Sequence, residues 1–174
     1  IETVGVGQNE ISVAEMVDFF LLLKISGSGD ELQGIKRGII EMSDLIAINK
    51  CDGDNVKDSI KAKNEFKLAL QLFPKKKSNW KPQVLTCSSL TGEGLAEIWE
   101  CITNYVNLTK KNNYFYENRI NQNKSWLLQI IDYSLRKSFF NRKSIKIKLN
   151  NLIKKIEEQK ISIFEASRKI LSEI

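Results

Sequence analysis

Three short runs of uninterrupted apolar residues, separated by stretches with helical periodicity, constrain this chain more than any other feature. The runs are "DFFLLLKI" at 18–25, "LIAIN" at 45–49 and "QVLTC" at 83–87. Continuous branched runs of this length fit strands buried on both faces of a parallel sheet, because a half-exposed strand would alternate instead. Helical periods precede each run: "NEISVAEMV", "GIKRGIIEMSD" and "KDSIKAKNEFKLALQLF". The last sets Ala62, Phe66, Ala69, Leu70 and Phe73 on one face and stops at Pro74, which cannot continue a helix. A fourth segment, "TGEGLAEIWECITNYV", sets Leu95, Ile98, Trp99, Ile102 and Val106 on one face. The expected fold class is α/β, doubly wound, with parallel strands at 19–25, 45–49 and 83–87. Ligands of such folds bind beyond the carboxyl ends of the strands.

Charge divides the chain in two. Residues 1–109 hold 12 Lys and Arg against 15 Asp and Glu, and residues 110–174 hold 15 against 6. The expected organisation is a domain over 1–109 and an all-helical arm over 110–174, joined at the Asn-rich "NLTKKNNYFYEN". Histidine is absent, which excludes Ser-His and Cys-His nucleophiles and most transition-metal sites. Cys51, Cys87 and Cys101 are widely spaced and expected to be reduced thiols. With no apolar stretch of membrane-spanning length and no signal peptide at the start, a cytoplasmic protein is expected, without membrane contact.

The second run ends abruptly in "NKCD", residues 49–52. A carboxylate on a short loop can accept two parallel hydrogen bonds from the ring N–H and exocyclic amine of guanine, an arrangement adenine cannot satisfy. Asp52 would read the base, Lys50 would lay its methylene stem along the purine face, and Asn49 would tie the loop to its neighbours. A turn built from Asn, Asp and Gly would account for "CDGDN" equally well. The next run ends in "TCSSLTGEG", which places Ser88, Ser89 and Leu90 at the corresponding edge. N-K-x-D at one strand end with Ser-Ser at the next resembles the base-specificity motifs of GTP-binding proteins.

The opening "IETVGVGQNE" resembles the GTPase segment in which an acidic residue is followed by a phosphate-sensing glycine. The resemblance assigns Glu2 to the Mg2+ shell through water and Gly5 to the terminal phosphate. Val6 stands where many GTPases carry a water-positioning glutamine, and Gln8 is the nearby candidate for that role. None of the nine glycines is followed by Lys, so the phosphate-binding pattern G-x-x-x-x-G-K-[ST] is absent from these residues. The chain is therefore expected to be the back portion of a larger protein and to turn over no GTP alone.

Taken together, "ETVGVGQNE", "SGSGDELQGIKRGIIEMSDLIAINKCDGDN" and "LTCSSLTGEGLAEIWE" resemble the GTPases associated with methylmalonyl-CoA mutase, the MeaB/ArgK family. The resemblance implies the back part of a P-loop GTPase sheet, with GTP or GDP and Mg2+ as ligands of the intact protein. It also implies a homodimer that acts as chaperone of an adenosylcobalamin-dependent mutase, gating cofactor delivery and protecting or reactivating the enzyme. The loop around Asp30, Glu31, Gln33 and Lys36 would be a switch contacting the partner; from spacing alone, Ser28 and Glu31 equally fit a helix capping box. A non-enzymatic dimerisation or partner-binding module with a vestigial guanine site is the alternative.

The arm reads as three helices. Trp126, Leu127, Ile130, Ile131 and Leu135 form one apolar stripe, Ile145, Leu149, Leu152 and Ile156 a second, and "SIFE" at 162–165 a capping box. These faces would pack on the α/β domain or on a second copy. Nucleic-acid binding is not expected, because no reading motif accompanies the dispersed lysines.

Overall fold

The computed structural model describes residues 1–2, 13–26 and 37–172. Gly5, Gln8, Asp30, Glu31, Gln33 and Lys36 lie outside the described residues. Strands β1 (Leu21–Ile25), β2 (Leu45–Asn49) and β3 (Gln83–Thr86) pair in parallel in the order β1-β2-β3. Leu21 stands opposite Leu45, and Leu45 opposite Gln83. Between them lie helix α1 (Arg37–Met42) and helix α2 (Val56–Gln71), and α3 (Leu95–Lys111) follows β3.

Strand β2 is the centre of the core, and its pleat sends successive side chains to opposite faces. Leu45 and Ala47 pack with Trp80, Ile98, Cys101 and Tyr105 on the α3 side. Ile46 and Ile48 pack with Ile40, Ala62, Phe66 and Val84 on the side of α1 and α2. All four β2 side chains are fully buried, as a run apolar at every position requires.

Two expectations need correction. Leu23 of β1 is 60% exposed and Ile25 is also exposed. The first run is therefore not covered on both faces by the described residues, which fits its place as the outer strand opposite β3. On α3, Leu95 is exposed and Trp99 is 69% exposed, and the buried positions are Ile98, Cys101 and Tyr105, with Thr109 a turn further on. Ile98, Ile102 and Val106 pack on the core as expected, and the stripe widens on its other side because Tyr105, although polar at its tip, fills the core edge-on to Phe19 and Trp80, at 4.9 and 5.4 Å between ring centroids.

The amino-terminal ends of the strands are closed by Asp44. Its carboxylate accepts from the Phe20 N–H at 2.9 Å and from Lys76 Nζ at 2.7 Å, and its backbone carbonyl accepts from Trp80 Nε1. Lys76 also donates to the Met42 carbonyl. Burial pushes the Asp44 carboxyl above its ordinary value of 3.8, and the Lys76 charge counters this only in part.

The chain forms two compact units, 1–122 and 123–174. The first extends beyond the charge boundary at 109 because the start of α4 (Tyr114–Asn141) is tied to it. There Arg119 grips Asp18 through two hydrogen bonds of 2.7 and 2.6 Å, and Gln122 Nε2 donates to the Val17 carbonyl. No residue of α4 is buried. In the second unit, α5 (Lys143–Glu157) buries Ile145 and Leu152, and α6 (Ile163–Leu171) buries Ala166. Ser162 caps α6 by accepting from the Glu165 N–H, while the Glu165 carboxylate turns to Lys169 at 2.6 Å rather than back to the cap. No helix among the described residues is long and apolar enough to cross a membrane.

Candidate functional site

The polar residues that end β2 and β3 meet at one edge of the sheet, and a single backbone distortion arranges them. The parallel ladder continues one step past the strands, with the Cys87 N–H donating to the Ile48 carbonyl at 2.9 Å. The next ladder donor would be Lys50, but Lys50 adopts a left-handed conformation with φ of 61°. Its N–H is taken by Asn49 Oδ1 at 2.8 Å, and the Cys51 N–H bonds the Cys87 carbonyl in its place, at 2.9 Å. Lys50 is thus the extra residue of a bulge, the device by which strands re-aim a side chain next to a site. It is exposed.

Asn49 holds the two strand ends together. Its Oδ1 accepts from the Ser89 N–H at 3.1 Å and the Ser89 hydroxyl at 3.0 Å, and Cys87 Sγ lies 3.7 Å away. Ser88 does the same one residue earlier. Fully buried, it accepts from the N–H groups of Leu90 and Thr91, at 3.2 and 3.1 Å, and donates a short hydrogen bond to Asp52 Oδ2. The half-buried Asp52 carboxylate is therefore oriented by the neighbouring strand end. It makes no capping bond to the 3-10 turn Gly53–Asn55 that follows it. That distinguishes it from a residue that merely starts a turn, whose side chain would accept from its own backbone.

Gly94 fixes the far side of the loop. It adopts φ of 78° at the start of α3, and a Cβ there would lie 2.3 Å from the Thr86 carbonyl oxygen. Only glycine lets α3 start this close to β3. The loop before it is closed by the Ser88 N–H bonding the Glu93 carbonyl and the Gly92 N–H bonding the Ser88 carbonyl, both at 2.9 Å. Leu90 stands out from this loop with 86% of its surface exposed.

The six residues expected to contact the base thus meet at one edge: Asn49 at the end of β2, Lys50 and Asp52 just beyond it, and Ser88, Ser89 and Leu90 on the adjoining loop after β3. Glu2 is exposed, and the structure gives it no geometry toward these loops. Sequence reasoning did not find the bulge at Lys50, the role of Gly94, or the placement of Cys51 against Cys87. Only Gly94 left a signal, in the repeated glycines of "TGEG".

A parallel three-stranded sheet flanked by helices, with polar loops at the carboxyl ends of its strands, is an α/β fold of the kind whose ligands bind at that edge. The chain belongs to the family described as methylmalonyl Co-A mutase-associated GTPase MeaB, whose model matches residues 1–144. It is 45% identical over 127 residues to the GTPase ArgK of Escherichia coli, covering 73% of this chain and 38% of that protein. It is 38% identical over 156 residues to the mouse methylmalonic aciduria type A homolog, mitochondrial, covering 90% of this chain and 38% of that protein. A crystal structure of a LAO/AO transport system kinase superposes with a TM-score of 0.78 at 32% identity, covering 98% of this chain and 54% of that one. The chain therefore spans about half or less of the proteins it matches.

Proposed function

We propose that this chain carries the base-specific half of a guanine-nucleotide site, in a protein that binds and hydrolyses GTP with Mg2+. The observation that carries the reading is the Asp52 carboxylate, held by Ser88 across the strand gap rather than spent on its own turn. Asp52 accepts from the guanine ring N–H and amine, Lys50 covers a purine face, and the loop of Ser88, Ser89 and Leu90 lies against the carbonyl edge. Asn49 acts by positioning: it joins the two loops and does not read the base itself. These side chains fit guanine because the donors of the base meet an acceptor, whereas adenine would offer that carboxylate one donor and one lone pair.

The phosphates require a cradle that these residues do not contain, since the G-x-x-x-x-G-K-[ST] pattern is absent. In our reading the cradle belongs to a further part of the intact protein, and Glu2 and Gly5 approach the Mg2+ and terminal phosphate from this side, with Gln8 the candidate for placing water. The fragment alone is inactive. The family description, a GTPase associated with methylmalonyl-CoA mutase, supports that mutase as the partner. In our reading the intact protein acts as chaperone of an adenosylcobalamin-dependent mutase, gating cofactor delivery and protecting or reactivating the enzyme. The loop with Asp30, Glu31, Gln33 and Lys36 is the switch toward that partner.

Self-association through the arm is the companion proposal. Trp126, Leu127, Leu128, Ile130, Ile131 and Leu135 of α4 are all exposed, an apolar surface that a second copy would cover. Nucleotide titration of a protein extended at its amino end by a phosphate-binding loop tests the guanine reading. GTP and GDP are expected to bind, ATP not to compete, and inosine triphosphate, which lacks the exocyclic amine, to bind at least tenfold more weakly than GTP. Equal affinities for GTP and inosine triphosphate would remove Asp52 from base recognition.

A further inference from the structure

The bulge that re-aims Lys50 has a second effect: it sets Cys51 beside Cys87. Their backbones are joined by the Cys51 N–H to Cys87 carbonyl bond of 2.9 Å. Two residues whose main chains share a hydrogen bond are close neighbours in space, which is the first condition for a disulfide, whose Cα atoms lie roughly 4.4–6.8 Å apart. Both cysteines are free thiols, and both line one cavity of about 220 Å3. Cys51 is partly open to solvent and Cys87 is buried. Burial, and then the neighbouring Cys51, push the Cys87 thiol up, so Cys51 is the sulfur that meets an outside reagent first. Cys101 is buried in α3 and does not line that cavity.

We propose that Cys51 and Cys87 form a reversible dithiol–disulfide pair at the base of the guanine loop, closed by a small-molecule disulfide of the glutathione type, and that closure weakens guanine-nucleotide binding. In the first step the Cys51 thiolate attacks one sulfur of the reagent. The reagent's S–S bond breaks, and one thiol leaves as thiolate and takes up a proton. In the second step Cys87 gives its proton to solvent and attacks Cys51 Sγ, expelling the second small thiol. The two protein thiols lose two electrons, and the reagent disulfide gains them.

Closure reaches the loop because Asp52 follows Cys51 and Ser88 follows Cys87. Drawing the sulfurs to bonding distance, about 2.05 Å, takes Cys87 Sγ from its place 3.7 Å from Asn49 Oδ1 and re-aims the Ser88 hydroxyl that holds Asp52. The affinity effect rests on the guanine reading, whereas formation of the bond does not.

The test has two readouts. First, the 174-residue chain is incubated with oxidised glutathione and its unreduced proteolytic fragments are mapped by mass. The expected product is a cross-link between Cys51 and Cys87 that dithiothreitol removes, retained in Cys101→Ser, with Cys87→Ser holding glutathione on Cys51 instead. A parent protein that accumulates only the glutathione adduct of Cys51, that links Cys51 to Cys101, or that takes no modification overturns the proposal. Second, GDP affinity is compared before and after oxidation in the protein extended by a phosphate-binding loop. A loss of tenfold or more is expected, reversed by dithiothreitol and absent in Cys51→Ser. A complete cross-link with unchanged GDP affinity overturns the regulatory half. A reduced protein that binds no GDP tells against the proposed function, while the cross-link result stands by itself.

Discussion

Single residues at this site differ in what they can tolerate, and the differences follow from local geometry. Gly92 and Gly94 both have positive φ, at 83° and 78°, but only Gly94 faces a backbone atom within clash distance. Gly92→Ala should therefore cost only the left-handed strain of an alanine, about 1 kcal/mol. Gly94→Ala adds the displacement of α3 from the Thr86 carbonyl and should cost about 3 kcal/mol in denaturant unfolding. Equal costs would mean that the close approach is not needed. Asp44 and Lys76 are unequal in the same way. Removing the cation with Lys76→Met leaves a buried carboxylate uncompensated and should cost about 3 kcal/mol near pH 7. Asp44→Asn keeps an acceptor for the Phe20 N–H and should cost about 1 kcal/mol. The pH dependence has a definite sign. A carboxyl raised in the fold binds its proton more tightly there than in the unfolded chain, so its contribution favours folding as pH falls toward 3.8 and opposes it as pH rises through the folded value. The Lys76→Met penalty should accordingly shrink between pH 7 and pH 4, and a penalty constant over that range would contradict the arrangement.

At the scale of elements, legibility in the sequence depended on whether one face or one residue carried the signal. Strand β2 was readable because four consecutive apolar side chains, Leu45 to Ile48, have one outcome, burial on both faces. Helix α2 was readable because Ala62 and Phe66 keep a clean period, and Ser162 because its acceptor reaches Glu165 as the capping pattern requires. The face of α3 was legible only in part: Ile98, Ile102 and Val106 pack on the core, but Leu95 and Trp99 look like core residues by hydropathy and are exposed, whereas Tyr105 is drawn in by the rings of Phe19 and Trp80, both far from it in sequence. Of the site, the residue types were visible but not the bulge, since nothing in "NKCD" marks Lys50 for a left-handed conformation until Asn49 captures its N–H. The exposed stripe of α4 carries a prediction at this scale. If the arm self-associates as proposed, Trp126→Glu with Leu127→Glu should lower the mass seen in sedimentation, because the two new charges would be buried at the interface without partners. An unchanged mass distribution would leave the arm without a role in association.

For the molecule as a whole, the sheet matters as a platform that brings two distant stretches of sequence, 49–52 and 88–94, to one edge. Strand pairing places β2 beside β3, Gly94 holds α3 against that edge, and Ser88 then reaches Asp52. Whether this assembly reads guanine is decided by Asp52→Asn in a protein extended by a phosphate-binding loop. The substitution keeps the shape but replaces one acceptor with a donor that faces the guanine amine. Loss of a charge-assisted bond and an unpaired buried donor should cost about 2 to 4 kcal/mol, or roughly thirty-fold to a thousand-fold in GTP affinity. Xanthine nucleotides carry a carbonyl where guanine carries the amine, so the same substitution should strengthen their binding. Titration of parent and variant with GTP and xanthosine triphosphate should show this reversal of preference. Unchanged GTP affinity in the variant, or an equal loss for both nucleotides, would contradict guanine recognition by Asp52.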